Sequence, residues 1–160
     1  MNRDLIINSR GTEVDIALME EKVLVELHRE KTNSNYNVGD IYLGRIRKII
    51  PGLNAAFIDI GYERDAFLHY LDLGPQVNSF IKFFNKLKGN QGQTNLTNFK
   101  FEPDIEKTGK IKDVLTTGKN ILVQVAKEPI SNKGPRVSSE ISFPGRYLVL
   151  VPFSLSTLSR

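Results

Sequence analysis

Val38–Leu73, VGDIYLGRIRKIIPGLNAAFIDIGYERDAFLHYLDL, decides how this chain is read. It divides into three runs rich in β-branched and aromatic residues, Ile41–Ile50, Asn54–Ile60 and Asp65–His69. Pro51-Gly52 and Gly61-Tyr62 supply the turn chemistry between them. Successive side chains of a strand point to opposite faces, so Ala56, Ile58 and Ile60 share one face while Ala55, Phe57 and Asp59 share the other. The aliphatic set is the core face, which leaves Phe57 on the side that carries a carboxylate. The same count turns Ala66 and Leu68 inward, and Asp65, Phe67 and His69 outward. Outward phenylalanines on a small barrel, beside the basic run Arg45, Arg47 and Lys48, are what a base-stacking platform for single-stranded nucleic acid requires. The alternative for each ring is a place in the core, the usual fate of phenylalanine.

The flanks extend the β pattern. Ile121–Ala126 alternates with Ile121, Val123 and Val125 inward, and Arg136–Ile141 is a further strand. Between them Lys127–Pro135, KEPISNKGP, reads as a long loop carrying Lys127 and Lys133. Gly74–Lys110 interrupts the series. Within it Ser79–Lys88 sets Phe80, Ile81, Phe83, Phe84 and Leu87 at helical spacing, which predicts a short helix plugging the barrel end or, alternatively, a second nucleic-acid-contacting element. Gly89–Thr97, rich in Gly, Gln, Asn and Thr, reads as a loop. Upstream, Asp4–Ser9, Glu13–Met19 and Lys22–His28 form a three-stranded meander with turns at Arg10-Gly11-Thr12 and Glu20-Glu21. Its alternation predicts one apolar face, of Val14, Ile16, Leu18, Val23, Val25 and Leu27, that has to be covered. After Pro144-Gly145, Tyr147–Val151 is another apolar strand.

Composition sets wide bounds. A chain of 160 residues, 40% hydrophobic and 25% charged, suits one or two small domains. No run approaches the ~18–20 apolar residues of a membrane span, and the N-terminus lacks the apolar core of a signal peptide. The absence of cysteine excludes disulfides and thiolate metal sites and agrees with a cytoplasmic location. A net charge of +4 leans toward a polyanionic partner, although a basic surface also occurs without one.

The G-x-I-Y-x-G-x-I opening at Gly39–Ile46 and the NAAFIDIG and DAFLH runs resemble the S1 domain, an OB-type RNA-binding module, in the version carried by the ribonuclease E/G family of endoribonucleases. RDLIINSRGTEVDIALMEEKVLVELHRE, IKDVLTTGKNILVQVAKEPISNKGPRVSSEIS and GRYLVLVPFS resemble that family in the same order, and its ribonuclease G-like branch most. Gly74–Lys107 and the final residues do not share the likeness.

The resemblance implies a mainly β chain in three parts. Residues 1–36 would be the first portion of an RNase H-like subdomain. Residues 37–139 would be an inserted five-stranded OB-fold barrel of S1 type, itself interrupted over 74–110. Residues 140–160 would start a 5′-sensor subdomain. It further implies RNA stacking by Phe57 and Phe67, and phosphate contacts by Lys127 and Lys133, two lysines that could equally be solvated. Arg45, with Arg47 and Lys48, would contribute to an electrostatic funnel, and Gly145 and Val149 would belong to an incomplete 5′-phosphate pocket. Where the family pattern has an aromatic after the strand-two aspartate this chain has Ile60, so one stacking surface is missing. His69 reads as a partly exposed surface histidine, and His28 receives no role.

The family's magnesium-dependent phosphodiester hydrolysis uses paired aspartates that have no counterpart here, since Asp59, Asp65, Asp72, Asp104 and Asp113 are scattered. The expectation is therefore single-stranded RNA binding without cleavage by this chain alone. Magnesium, the Cys-Pro-x-Cys zinc link, oligomerisation and the catalytic region would all belong to the full-length family. An RNA-binding adaptor that ends at this length, and a protein-interaction domain using the outward aromatics, are the alternatives.

Overall fold

The computed structural model describes residues 2–31, 36–89, 99–152 and 158–159. The chain forms two compact units, Met1–Asn35 and Tyr36–Arg160.

The first unit is an antiparallel sheet of β1 (Arg3–Arg10), β2 (Glu13–Glu20) and β3 (Val23–Lys31) in sequential order. Gly11 takes φ 57° in the first turn. In the second, Glu21 and Lys22 both adopt positive φ, 48° and 67°, one residue later than the predicted turn. Two successive positive φ values are the mark of a type I′ turn, whose twist matches that of the strands it joins.

The prediction of a single apolar face is corrected by a bulge opposite Leu18/Met19. It aligns Ile16 with His28 and Leu18 with Glu26, while Leu27 pairs with Ala17 and so lies on the reverse side. A bulge adds one residue to one strand and inverts the alternation beyond it. Both faces consequently carry apolar side chains, and Leu5 and Leu27 are 63% and 56% exposed.

In the second unit β4 (Ile41–Ile50), β5 (Ala55–Asp59), β6 (Ala66–His69), β7 (Asn120–Lys127) and β8 (Arg136–Ser138) close a barrel in the order β4-β5-β6-β8-β7. Every pairing is antiparallel except β6 with β8. A closed five-stranded barrel with its last two strands exchanged in order is the OB architecture. Strand β4 pairs with β7 through Ile41–Arg45 and with β5 through Arg45–Ile50, so it must bend between partners. Gly44 stands at that bend. A Cβ there would lie 2.4 Å from Ile58 Cγ2 and collide inside the barrel.

The inward residues foreseen from alternation fill the core: Ile58, Leu68, Val123 and Val125 are each buried, and Ile46 and Val137 join them. Each such side chain stabilises the barrel by roughly 1.5–3 kcal/mol through removal from water. The predicted helix is present as α1 (Val77–Gly89), set against the start of β7. Its Val77, Phe80, Ile81 and Phe84 face Asn120, Ile121 and Leu122. The plugging role is shared with an unforeseen short helix, α2 (Ile111–Val114), because Ile111 and Leu115 join Val77 in the core. Strand β8 is shorter than predicted, with Ser139 and Ile141 buried beyond its end. The predicted loop Gly89–Thr97 lies outside the described residues except for Gly89. A small sheet of β9 (Phe143–Pro144), β10 (Leu148–Leu150) and β11 (Leu158–Ser159) follows. Among the described residues, no helix is long and apolar enough to cross a membrane.

Candidate nucleic-acid interface

Strand register brings the outward residues into one row around the barrel. Lys48 is opposite Phe57, Phe57 opposite Phe67, Phe67 opposite Arg136, and Arg136 opposite Lys127. Two bulges make the row possible. One lies between Ile46 and Lys48, the other between Val125 and Lys127. Without them Arg47 and Ala126 would occupy the terminal positions. The phenylalanine rings meet edge to face at 5.9 Å and 66°, and the His69 ring lies 6.5 Å from that of Phe67. Both phenylalanines are half-buried, so each keeps a face for a further aromatic partner.

Beside these rings runs a groove of about 700 Å³, lined by Phe57, Phe67, Arg64, Asp65 and Arg136 on the barrel, and by Asn132, Lys133 and Gly134 on the β7–β8 loop. The loop is held against the barrel by the Phe67 N–H donating to Pro135 O at 2.8 Å. Gly134 makes the approach possible, since a Cβ there would lie 2.2 Å from Asp65 O and 2.9 Å from Arg64 O. The tip is a tight turn with Ser131 at φ 50° and the Lys133 N–H donating to Ile130 O at 3.0 Å.

Charge is distributed unevenly around the rings. Arg136 grips Asp72 in a fork, Nε to Oδ2 at 2.9 Å and Nη2 to Oδ1 at 3.0 Å, which raises the guanidinium above its ordinary pKa. Arg47 reaches Asp59 Oδ2 at 2.7 Å through Nη2. The Asp59 carboxyl titrates below its ordinary value, first because Oδ1 accepts the Gly61 N–H at 3.0 Å and then because of Arg47. Among the described residues, Arg45, Lys48, Arg64, Lys127 and Lys133 take part in no ion pair. Of these, Arg64 and Lys133 line the aromatic groove and Lys48 stands opposite Phe57, the pairing that single-stranded nucleic acid exploits through stacking and phosphate attraction.

The predicted residues do not all converge. Phe57, Phe67 and Lys133 line the groove together. Lys127 ends β7 rather than lying on the loop, because β7 runs to that residue, and it enters the aromatic row instead. Arg45 is exposed on β4 opposite Asp59 and Asn120, away from the groove lining. Gly145 and Val149 lie in the β9–β10 hairpin, with the Gly145 N–H donating to Leu148 O at 2.8 Å. Sequence reasoning passed over Arg64, Asn132, Gly134 and Arg136. The G-P-R after Lys133 was the available signal, since glycine beside a basic loop marks a close backbone approach.

In the insertion, Phe99 packs edge to face against Phe83 at 5.8 Å and against Phe101 at 5.2 Å, with Lys82 Nζ 5.8 Å above the Phe99 ring. Lys82 also pairs with Glu102. Among the described residues no group of three or more His, Asp or Glu is placed to hold a metal ion, and the sequence contains no cysteine.

No protein-family model matches the chain. It is 32% identical over 152 residues to Ribonuclease G of Escherichia coli K12, covering 95% of this chain and 27% of that protein. To Ribonuclease G of Haemophilus influenzae it is 35% identical over 149 residues, 93% of this chain and 27% of the relative. A Ribonuclease E/G-like protein of Porphyra purpurea is 42% identical over 123 residues, 76% of this chain and 19% of its own length. The chain thus spans about a quarter of the length of the curated relatives it matches. Over nearly its whole length this is a ribonuclease E/G-family sequence.

Proposed function

We propose that this chain binds single-stranded RNA on the outer face of its barrel, as the RNA-binding region of a ribonuclease E/G-type endoribonuclease acting in RNA processing and decay. The observation that carries the reading is the row Lys48–Phe57–Phe67–Arg136–Lys127, in which adjacent aromatic rings are flanked by cations at both ends. Phe57 and Phe67 stack bases. Lys133, Arg64 and Lys127 attract the phosphates, and Arg45 adds to the field that draws the strand in. Such binding tolerates sequence, because every base has a π-face.

Kinship with proteins named ribonucleases supports RNA as the ligand. Catalysis, magnesium and zinc binding and oligomerisation are assigned in this proposal to the remaining length of such proteins. Gly145 and Val149, in the β9–β10 hairpin, are proposed as the near side of a 5′-phosphate pocket. The proposed location is the cytoplasm.

The test is fluorescence anisotropy of a labelled oligoribonucleotide with Phe57→Ala and Phe67→Ala. Each substitution should weaken binding by about 1–3 kcal/mol while circular dichroism remains unchanged. Wild-type affinity in both folded variants would end the stacking reading. A second reading, a protein-interaction domain, is favoured by the exposed Leu5, Ile7, Val23 and Leu27 of the N-terminal sheet. Its signature would be a wild-type chain that folds yet does not bind the oligoribonucleotide.

A further inference from the structure

A second groove lies beyond the Asn54 end of β5, away from the Asp65 end of β6 that borders the first. It encloses about 330 Å³ and is lined by Pro51, Asn54, Lys110, Ile111 and Lys112. Asp65 lines the first groove, whereas among the described residues no acidic side chain lines the second. Lys110 and Lys112 are exposed, and among the described residues neither ammonium takes part in an ion pair or hydrogen bond.

The backbone beneath these lysines is pinned. Asn54, in the left-handed region at φ 47°, donates through Nδ2 to Gly109 O at 3.1 Å and accepts the Ile111 N–H on Oδ1 at 2.7 Å. One amide therefore clamps the peptides on both sides of Lys110. Gly109 is seated so tightly on Tyr70 that a Cβ would fall 2.0 Å from the tyrosine oxygen. The Asn54 carbonyl in turn accepts the Tyr70 N–H at 2.8 Å, which ties the clamp to the end of β6.

The two grooves share one line along β5 and β6. Asp65 and Arg64, in the first groove, precede Phe67, which is paired with Phe57. His69 follows, paired with Ala55, and then comes Tyr70, whose N–H donates to the backbone carbonyl of Asn54 at the second groove. Phe57 and Asn54 are three residues apart, or roughly 10 Å at ~3.3 Å per strand residue. A strand that stacks on the phenylalanines and continues in this direction carries its phosphates past His69 toward Lys110 and Lys112.

We infer that Lys110 and Lys112 form a second phosphate-binding subsite, for the backbone of nucleotides beyond those stacked on Phe57 and Phe67. The inference rests on the RNA-binding reading of the aromatic face and lengthens that site. It makes affinity depend on oligonucleotide length.

The test compares oligouridylates of about 4 and about 12 nucleotides, since an OB fold covers roughly 4–16 nucleotides. They are titrated by anisotropy into the wild-type chain and into Lys110→Ala/Lys112→Ala. Two contacts at about 0.7 each on the log–log salt slope predict that the double variant loses about 10–30-fold in affinity for the longer strand at ~0.1 M salt. Its slope should fall by about 1.4. The shorter strand, held by the aromatic groove alone, should bind as it does to wild type. Unchanged affinity for both lengths, or an equal loss for both, overturns the subsite and leaves the aromatic reading intact. Failure of the wild-type chain to bind either length overturns both readings together.

Discussion

Gly134→Ala separates two things that removal of a lysine cannot, the charge of Lys133 and its placement. The added Cβ would lie 2.2 Å from Asp65 O and 2.9 Å from Arg64 O, against backbone that cannot swing aside like a side-chain tip. To reach ordinary contact the β7–β8 loop has to retreat by on the order of 1 Å, and overpacking of this kind costs about 1–3 kcal/mol. The retreat strains the 2.8 Å hydrogen bond from the Phe67 N–H to Pro135 O, whose loss adds about 0.5–1.5 kcal/mol. The sum is about 1.5–4.5 kcal/mol. At about 2–4 °C per kcal/mol for a chain of this size, the melting temperature should fall by on the order of 10 °C. Lys133 keeps its charge but moves away from the rings. Binding of a single-stranded oligoribonucleotide below the melt should therefore lose part of the Lys133 phosphate contact, flattening the salt slope by up to about 0.7. Differential scanning calorimetry and anisotropy across a salt series read both effects. A variant that melts and binds like wild type would refute the close packing of loop on barrel, and with it the claim that Gly134 sets the wall of the groove.

Lys127→Ala/Lys133→Ala should lower the salt slope by up to about 1.4, read from log affinity against log salt; an unaltered slope makes both lysines merely solvated. The purified chain should leave a labelled 5′-monophosphorylated AU-rich oligonucleotide intact on a denaturing gel in millimolar magnesium. Cleavage abolished by Asp59→Asn or Asp65→Asn would place chemistry on the barrel. Asp59 is held below its ordinary pKa of 3.8 by the Gly61 N–H and Arg47, so it stabilises the fold above that value and the contribution fades as pH falls through the lower, folded-state pKa. Asp59→Asn should consequently narrow its stability gap to wild type on acidification below about 4, as urea titrations at several pH values would show.

The outward placement of Phe57 and Phe67 was legible in the sequence because alternation is a local property: a residue's face in a strand depends only on its distance from its neighbours. Ile58, Leu68 and Val123 were assignable to the core for the same reason, and Gly44 and Gly134 could be noticed as glycines although not explained. What joins these residues is not local. The row from Lys48 to Lys127 depends on two bulges and on the parallel pairing of β6 with β8, across sixty-nine positions from Phe67 to Arg136. A bulge leaves no mark in a hydrophobic pattern until the opposite strand is known, which is also why the N-terminal sheet turned out apolar on both faces. Lys127 moved from loop to strand, and Arg136 from an unassigned strand residue to the groove, through register alone. Short α2 escaped periodicity because a single turn carries none, and only the Asn54 amide, reaching Gly109 O and the Ile111 N–H from far along the chain, shows what seats it. Composition and alternation therefore determined which residues face solvent, whereas the tertiary pairing decided which of them stand together, because hydrogen-bonded register is a relation between strands and is encoded in neither strand by itself.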